Sequence, residues 1–264
     1  HHIVSDGWSV DVFLNEIESL YSGDKLEPLD IQYRDFALWQ RKYLQGDILD
    51  KQLSYWKQKL SEFETLELPI DNVRPAKISY KGGDKHIKFD RELSDNLRGY
   101  AKARGYSLYS VLLGVFYVFL NKYTNQEDIV VGAPIANRHY SQLQNLIGFF
   151  VNSVALRQLV NPDSSFNSLT KDVHNDLIQV QKYQDIPFEK IVGELNIDKN
   201  LSRHPIFQVM FGVQSFGKNK SNFFDLVTKD IEYSVAKYDL SCFIDDSQNE
   251  LIVSFNYATS LFRE

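Results

Sequence analysis

The 264-residue sequence has one cysteine, Cys242, and no surplus of positive charge. A single thiol cannot form a disulfide within the chain, so a framework of cystines is excluded. The formal net charge of −6 lacks the basic surplus that is typical of nucleic-acid binding. The apolar stretch at residues 111–120 is too short to span a bilayer. We therefore expect a cytoplasmic protein that binds neither nucleic acid nor a membrane.

The usual signals of bound cofactors are also missing from the sequence. The remaining histidines, at positions 86, 139, 174 and 204, do not have the spacing of zinc ligands. No glycine-rich loop has the pattern that binds phosphate groups ahead of a helix. We expect neither a metal ion nor a nucleotide cofactor bound directly to this chain.

Hydrophobic periodicity predicts alternating helices and strands. Apolar side chains at Val12, Phe13, Ile17 and Leu20 have helical spacing and predict a helix over 10–21. Two prolines mark residues 67–75 as a linker. Such an alternation predicts a mixed α/β sandwich. The same reasoning predicts helices over 31–44, 48–63, 93–104 and 107–123, and strands over 86–89 and 128–132.

The chemically most informative stretch is His1-His2-Ile3-Val4-Ser5-Asp6-Gly7-Trp8-Ser9. Imidazole titrates near neutrality and can take up and return a proton at working pH. The pKa of an aspartate in water is too low for the same task, so Asp6 is better suited to anchoring the loop. Gly7 permits a backbone conformation or a close approach that a β-carbon would block. Paired histidines also occur as the remainder of an affinity tag, but a tag does not continue as Asp-Gly-Trp-Ser.

Four more stretches follow in order: Tyr33-Arg34-Asp35-Phe36-Ala37-Leu38-Trp39, Ile147-Gly148-Phe149-Phe150-Val151-Asn152-Ser153, Tyr183-Gln184-Asp185-Ile186-Pro187-Phe188-Glu189, and residues 199–211. Together with the first nine residues they resemble the motifs of condensation domains of nonribosomal peptide synthetases. These domains belong to the chloramphenicol acetyltransferase-like acyltransferases. Two positions depart from the family pattern: Tyr183 replaces a histidine, and Lys199-Asn200 replaces Arg-Asp.

The resemblance implies a chloramphenicol acetyltransferase-like two-layer sandwich, in which helices flank a mixed sheet. Family members are V-shaped pseudo-dimers of two similar halves. On that pattern, residues 1–66 are the end of the N-terminal subdomain and residues 67–80 are the crossing linker. Residues 81–264 then form a C-terminal subdomain that is incomplete at its C-terminus. The chain is thus expected to be truncated at both ends and to contain mostly the second half.

The activity implied by the resemblance is peptide-bond formation. The amine of an acceptor aminoacyl thioester attacks a donor acyl thioester, and both are held on phosphopantetheine by peptidyl carrier proteins. An adjacent adenylation domain is a further expected partner. The continuation Asp6-Gly7-Trp8-Ser9 favours the amide-forming subtype. Three alternatives stay open: an acyltransferase for free alcohols or amines, a noncatalytic binding platform, and an inactive fragment.

The resemblance also assigns roles to single residues. His2 matches the histidine that lies beside the reacting atoms, while His1 is expected to pack within the loop. Asp6 is expected to pair with a distant arginine, for which Arg138 is the candidate. The Gly7 N–H is the expected donor to the developing oxyanion. Substrate contacts are expected from Trp8 and Ser9. Asn152 and Ser153 either line the substrate channel from the second half or have a structural role.

Overall fold

The computed structural model describes residues 1–195, 197, 200–214 and 235–264. Lys199, part of the last motif, lies outside these residues. The helices within them are α1 (Gly7–Tyr21), α2 (Tyr33–Tyr43), α3 (Gly46–Lys59), α4 (Arg91–Arg104), α5 (Leu108–Thr124), α6 (Phe166–Lys182) and α7 (Phe188–Glu194), with a 3-10 turn at Ser141–Leu143.

One mixed sheet contains the six strands found among the described residues. Its spatial order is β1-β6-β5-β4-β2-β3, and β4 runs parallel to both β2 and β5. The remaining neighbours are antiparallel. The strands are β1 (Gly82–Lys88), β2 (Asp128–Ile135), β3 (Asn152–Leu159), β4 (Val209–Gln214), β5 (Leu240–Asp245) and β6 (Ile252–Ala258).

Helix α5 is the central helix of the core. Its sequence is largely apolar, as the run at 111–120 shows, and most of the side chains in that run are buried. The Ser107 hydroxyl accepts a hydrogen bond from the Ser110 N–H and caps the helix, while Asn125 in the left-handed conformation ends it. Tyr117 is fully buried, and its hydroxyl donates to the Leu156 carbonyl at 2.9 Å. The apolar run is therefore a core helix packed on the sheet.

The end of α4 and the segment at 67–80 can be compared with the sequence predictions. Helix α4 ends at Gly105, whose φ of 70° is left-handed and so favours glycine. Residues 67–80 contain neither helix nor strand. Among the described residues no single helix is both long enough and apolar enough to cross a bilayer. Helices α4 and α5 have the required length and apolar content only when taken together, and they are bent by 111° relative to each other.

Helices α2 and α3 pack against later motifs of the chain. From α2, Phe36 packs on Phe150 at 4.8 Å between ring centroids. From α3, the buried Trp56 donates its indole N–H to the Tyr183 carbonyl at 2.7 Å. These contacts hold two separate motifs, 33–39 and 183–189, on the framework that carries residues 148–152.

Candidate active site

His2 lies in the loop before α1 and is exposed. Its Nδ1 lies 3.1 Å from the Ser5 carbonyl oxygen. Because a carbonyl only accepts hydrogen bonds, this contact places the ring proton on Nδ1 and leaves Nε2 with a free lone pair in the neutral ring. The edge of the ring packs against Phe149, with 5.8 Å between centroids. An imidazole from the start of the chain therefore meets the motif at 147–153.

His1 takes part in the same turn. Its Nδ1 accepts a hydrogen bond from the Ile3 N–H at 3.1 Å, and its side chain is otherwise exposed. This bond is local and shapes the loop around His2. With Nδ1 as the acceptor, the neutral His1 ring carries its proton on Nε2, whereas His2 carries its proton on Nδ1 and has Nε2 available as an acceptor.

Asp6 anchors the loop from within the protein. It caps α1 by accepting from the Ser9 N–H at 2.9 Å and the Ser9 hydroxyl at 2.7 Å. Its second oxygen accepts from the Phe150 N–H at 3.0 Å. Burial by itself raises the pKa of this carboxyl, but the Ser9 and Phe150 bonds and the charge of Arg138 outweigh it and hold the pKa below its ordinary value.

Arg138 is the partner that the sequence nominated for Asp6, and the structure places the two together. Its Nη2 lies 3.0 Å from Asp6 Oδ1. Its Nη1 donates to the Leu143 and Leu146 carbonyls at 2.5 and 2.7 Å. The guanidinium also lies 4.0 Å over the Phe150 ring. Burial lowers the Arg138 pKa, against the opposing charge of Asp6, yet an arginine remains protonated in a protein.

Ser9 and Trp8 were expected to contact substrate, and the structure gives their polar atoms other partners. Ser9 is 1% exposed, and its hydroxyl also lies 2.9 Å from the Gly148 carbonyl and 2.9 Å from Arg138 Nη2. The expectation for Ser9 is wrong, because a buried, fully bonded hydroxyl cannot reach a ligand. The half-buried Trp8 donates its indole N–H to the Gln144 carbonyl at 2.8 Å. Its polar atom therefore fastens α1 to the 141–146 segment.

Gly7 needs no special backbone conformation, and no other part of the chain approaches it closely. Its φ is not positive, and a β-carbon built there meets nothing within 4 Å. Gly7 is instead the first residue of α1, where backbone N–H groups lack partners within the helix and the helix dipole is positive. What the glycine leaves is open space next to a backbone donor.

Asn152 and Ser153 were expected either to line the substrate channel from the later half or to have a structural role. The Asn152 amide donates to the Gln184 and Ile186 carbonyls at 3.1 and 2.8 Å, and its oxygen accepts from the Ser153 and Phe188 N–H groups. Every hydrogen-bonding position of this side chain is thus used by backbone, which favours the structural alternative for Asn152 over a substrate contact. Ser153 points to the opposite face of the sheet, since side chains alternate along a strand.

Sequence reasoning missed the backbone groups that complete the site. The Ser5 carbonyl fixes the tautomer of His2, and the Phe150 N–H holds Asp6. A sequence motif does not show which backbone groups form hydrogen bonds, although the Gly148-Phe149-Phe150 run did identify the segment. The departure at Tyr183 has a packing explanation, because its ring stacks on Tyr55 at 4.1 Å.

Comparison with known proteins identifies the family. The profile of the condensation domain matches residues 1–264. The chain is 38% identical to bacitracin synthase 3 of Bacillus licheniformis over 266 residues, covering 100% of this chain and 4% of that protein. It is 36% identical to gramicidin S synthase 2 of Brevibacillus brevis over 272 residues, covering 100% of this chain and 6% of that protein. The chain thus spans a small part of these curated relatives.

Solved structures show the fold. The X-domain from teicoplanin biosynthesis superposes with a TM-score of 0.87 at 23% identity, over 100% of this chain and 64% of that one. A four-domain nonribosomal peptide synthetase gives a TM-score of 0.86 at 24% identity, over 100% of this chain and 22% of that one. The predicted chloramphenicol acetyltransferase-like fold, an open mixed sheet flanked by helices, is confirmed. This chain belongs to the condensation-domain family.

Proposed function

We propose that this chain catalyses peptide-bond formation between two carrier-bound thioesters. Membership of the condensation-domain family supports the proposal, as do relatives named as bacitracin and gramicidin S synthases. The donor acyl group and the acceptor aminoacyl group arrive on phosphopantetheine arms of two peptidyl carrier proteins. An adenylation domain of the same synthetase supplies the activated amino acid. No cofactor of this chain's own enters the reaction.

The observation that carries the proposal is the tautomer of His2. With the Nδ1 proton bonded to the Ser5 carbonyl, Nε2 can accept a hydrogen bond from the acceptor amine. The reference pKa of a protonated α-amine is about 8, so a useful fraction of the acceptor is the free nucleophilic amine near neutral pH. His2 therefore orients the amine and takes its proton as the C–N bond forms. The C–S bond of the donor then breaks, and the same proton passes to the departing thiolate.

The loop around His2 supplies the rest of the site. The Gly7 N–H, at the start of α1 and beside open space, donates to the oxyanion that develops on the thioester carbonyl. Phe149 packs on the imidazole and limits its rotation. Asp6 and Arg138 touch neither substrate; they fix the loop to the later segment so that His2 and Gly7 keep their separation.

The test uses an intact synthetase module that contains this chain, with both carrier proteins loaded. His2→Ala should lower the rate of amide formation by about 10²–10⁴-fold, the usual contribution of a positioned acid–base group. Binding of the loaded carriers should stay unchanged. His86→Ala is the matched control, since His86 is exposed and bonds Ser254 on the sheet. Equal losses of amide formation and carrier binding, or an active His2→Ala variant, would reject the role and favour a noncatalytic binding platform.

A further inference from the structure

A cavity of about 390 Å³ lies between α5, α6 and the β2–β3 side of the sheet. Its floor and walls are apolar and include Ala133, Val154, Leu156 and Leu177. Its volume is in the range of pockets that bind small molecules, about 300–1,000 Å³. Neither the His2 loop nor the Asp6–Arg138 pair accounts for this space.

The polar side chains of the lining come from Ser107, Tyr109, Ser110, His174, Gln181 and Gln184. Within this set, Ser110 and His174 form a hydrogen-bonded pair. The buried Ser110 hydroxyl lies 3.1 Å from His174 Nδ1 and 2.7 Å from the Ser107 hydroxyl. Among the described residues nothing bonds His174 Nε2. The proton on the imidazole can be on either nitrogen, because a serine hydroxyl both donates and accepts. A ligand hydroxyl can also donate or accept a hydrogen bond, so it can bond to His174 Nε2 in either tautomer.

The described lining residues carry no carboxylate, ammonium or guanidinium group. An ionised ligand group would enter this space without a countercharge, which is costly in an apolar environment. The lining therefore selects a neutral group. The apolar lining favours a ligand that is mostly apolar, and the Ser110–His174 pair favours a hydroxyl at one end of that ligand.

The cavity lies beside the strand that follows the segment in contact with His2. Ile135, which lines it, is paired with Asn152 in the β2–β3 ladder. Asn152 and Val154 lie on one face of β3, since side chains alternate. Phe149, which contacts His2, precedes Asn152 by three residues, at most about 10 Å of extended chain. The cavity and the His2 contact are therefore served by the same stretch of chain, Phe149 at one end and Val154 at the other.

We propose that this cavity binds a neutral apolar group that ends in a hydroxyl and has the size of a phenol side chain. Given the proposed function, on which this last step rests, the group is the side chain of an aminoacyl or peptidyl substrate. Leu177 and Val154 hold the ring, and His174 Nε2 bonds the hydroxyl. The cavity then discriminates among substrates by side chain, while His2 acts on the amine that all of them share.

The test measures binding of 4-ethylphenol to the 264-residue chain by ligand-observed NMR titration, which also serves for the variants, and follows the His174 ring signals wherever that residue is present. Ethylbenzene and 4-ethylbenzoate serve as the probes without a hydroxyl and with a charge. We expect saturable binding of 4-ethylphenol about fivefold tighter than that of ethylbenzene, equivalent to one net hydrogen bond. The benzoate should bind more weakly than both. Because no thioester is present, this result is independent of amide formation: a chain that binds the phenol but forms no amide keeps the cavity and loses the proposed function.

Three variants locate the binding. Leu177→Trp should fill the cavity and abolish binding, whereas Asn175→Trp, on the exposed face of the same helix, should leave it unchanged. His174→Phe keeps the ring but removes both nitrogens, so it should bind the two neutral probes equally and decides the question if Leu177→Trp does not fold. Equal affinities in the unmodified chain, no saturable binding of 4-ethylphenol, or a preference for the phenol that survives in His174→Phe would overturn the proposal.

Discussion

Arg138 Nη2 lies 3.0 Å from Asp6 Oδ1, and the two side chains are 1% and 4% exposed. The residues are 132 positions apart in the sequence. Their contact fastens the loop of His2 to the segment that ends at Phe150, so it is the link between the start of the chain and the later half. Because both charges are buried, each depends on the other for compensation.

Asp6→Ala should lower the free energy of unfolding by about 3–5 kcal/mol, since it leaves the Arg138 guanidinium buried without its countercharge. Urea denaturation, analysed for a change in midpoint at constant slope, measures the loss. Asp95→Ala is the matched control, because Asp95 pairs with Arg91 and Arg98 on an exposed helix face. Its effect should be within about 0.5 kcal/mol. Similar losses in the two variants would contradict the assignment of Asp6 as a buried anchor.

The pKa of Asp6 predicts a pH dependence of stability. Its folded-state pKa lies below the unfolded value, which is about 3.9. Its ionised form therefore stabilises the fold fully above the unfolded pKa, and this contribution is lost as the pH falls through the folded pKa. We expect the difference in unfolding free energy between the unmodified chain and Asp6→Asn to be largest near pH 6 and to shrink below about pH 4. A difference that stays constant from pH 7 to pH 3 would show that Asp6 titrates alike in both states.

The sequence predicted the helices best where one face is apolar or where a cap is local. The predicted start of α1 at residue 10 was late, because Asp6 caps the helix and draws Gly7 into its first turn. Position 105 was right as a helix end, since only backbone geometry at that glycine decides it. The sheet order could not be predicted from the residues, because β4 pairs with β2 and β5 across long stretches of chain.

The candidate site was predicted only in part, because some of its contacts join residues that are far apart in the sequence. The pairing of Asp6 with an arginine follows from opposite charge, and the choice of Arg138 follows from the family resemblance. The burial of Ser9 follows from neither, because it depends on Gly148, which is 139 residues away in the sequence. Asn152 looks like a ligand contact in a motif, and only the positions of the Gln184 and Ile186 carbonyls show that its amide is fully used.

Asn152→Asp tests that assignment through charge. The substitution replaces an N–H₂ group that donates to two carbonyls with a carboxylate oxygen that faces them. At pH 7 we expect a loss of several kcal/mol in unfolding free energy, since charged groups left without donors cost more than about 1–3 kcal/mol each. The repulsion should raise the folded-state pKa of the new carboxyl, so stability should recover as the pH falls below that pKa. Asn175→Asp, exposed on α6, should show neither effect in the same urea titrations.

Gly148→Ala tests the close packing behind Phe149. A β-carbon at Gly148 would collide with the Tyr33 ring, whose hydroxyl donates to the Phe149 carbonyl at 2.8 Å. We expect an overpacking loss of about 1–3 kcal/mol by urea denaturation. Displacement of Phe149 should also loosen His2, so amide formation should fall even under conditions where the variant is fully folded. Gly99→Ala is the control, because nothing lies within 4 Å of its added carbon in α4 and the change should stabilise by about 0.5–1 kcal/mol. Full activity in folded Gly148→Ala would separate the packing of Phe149 from the function of His2.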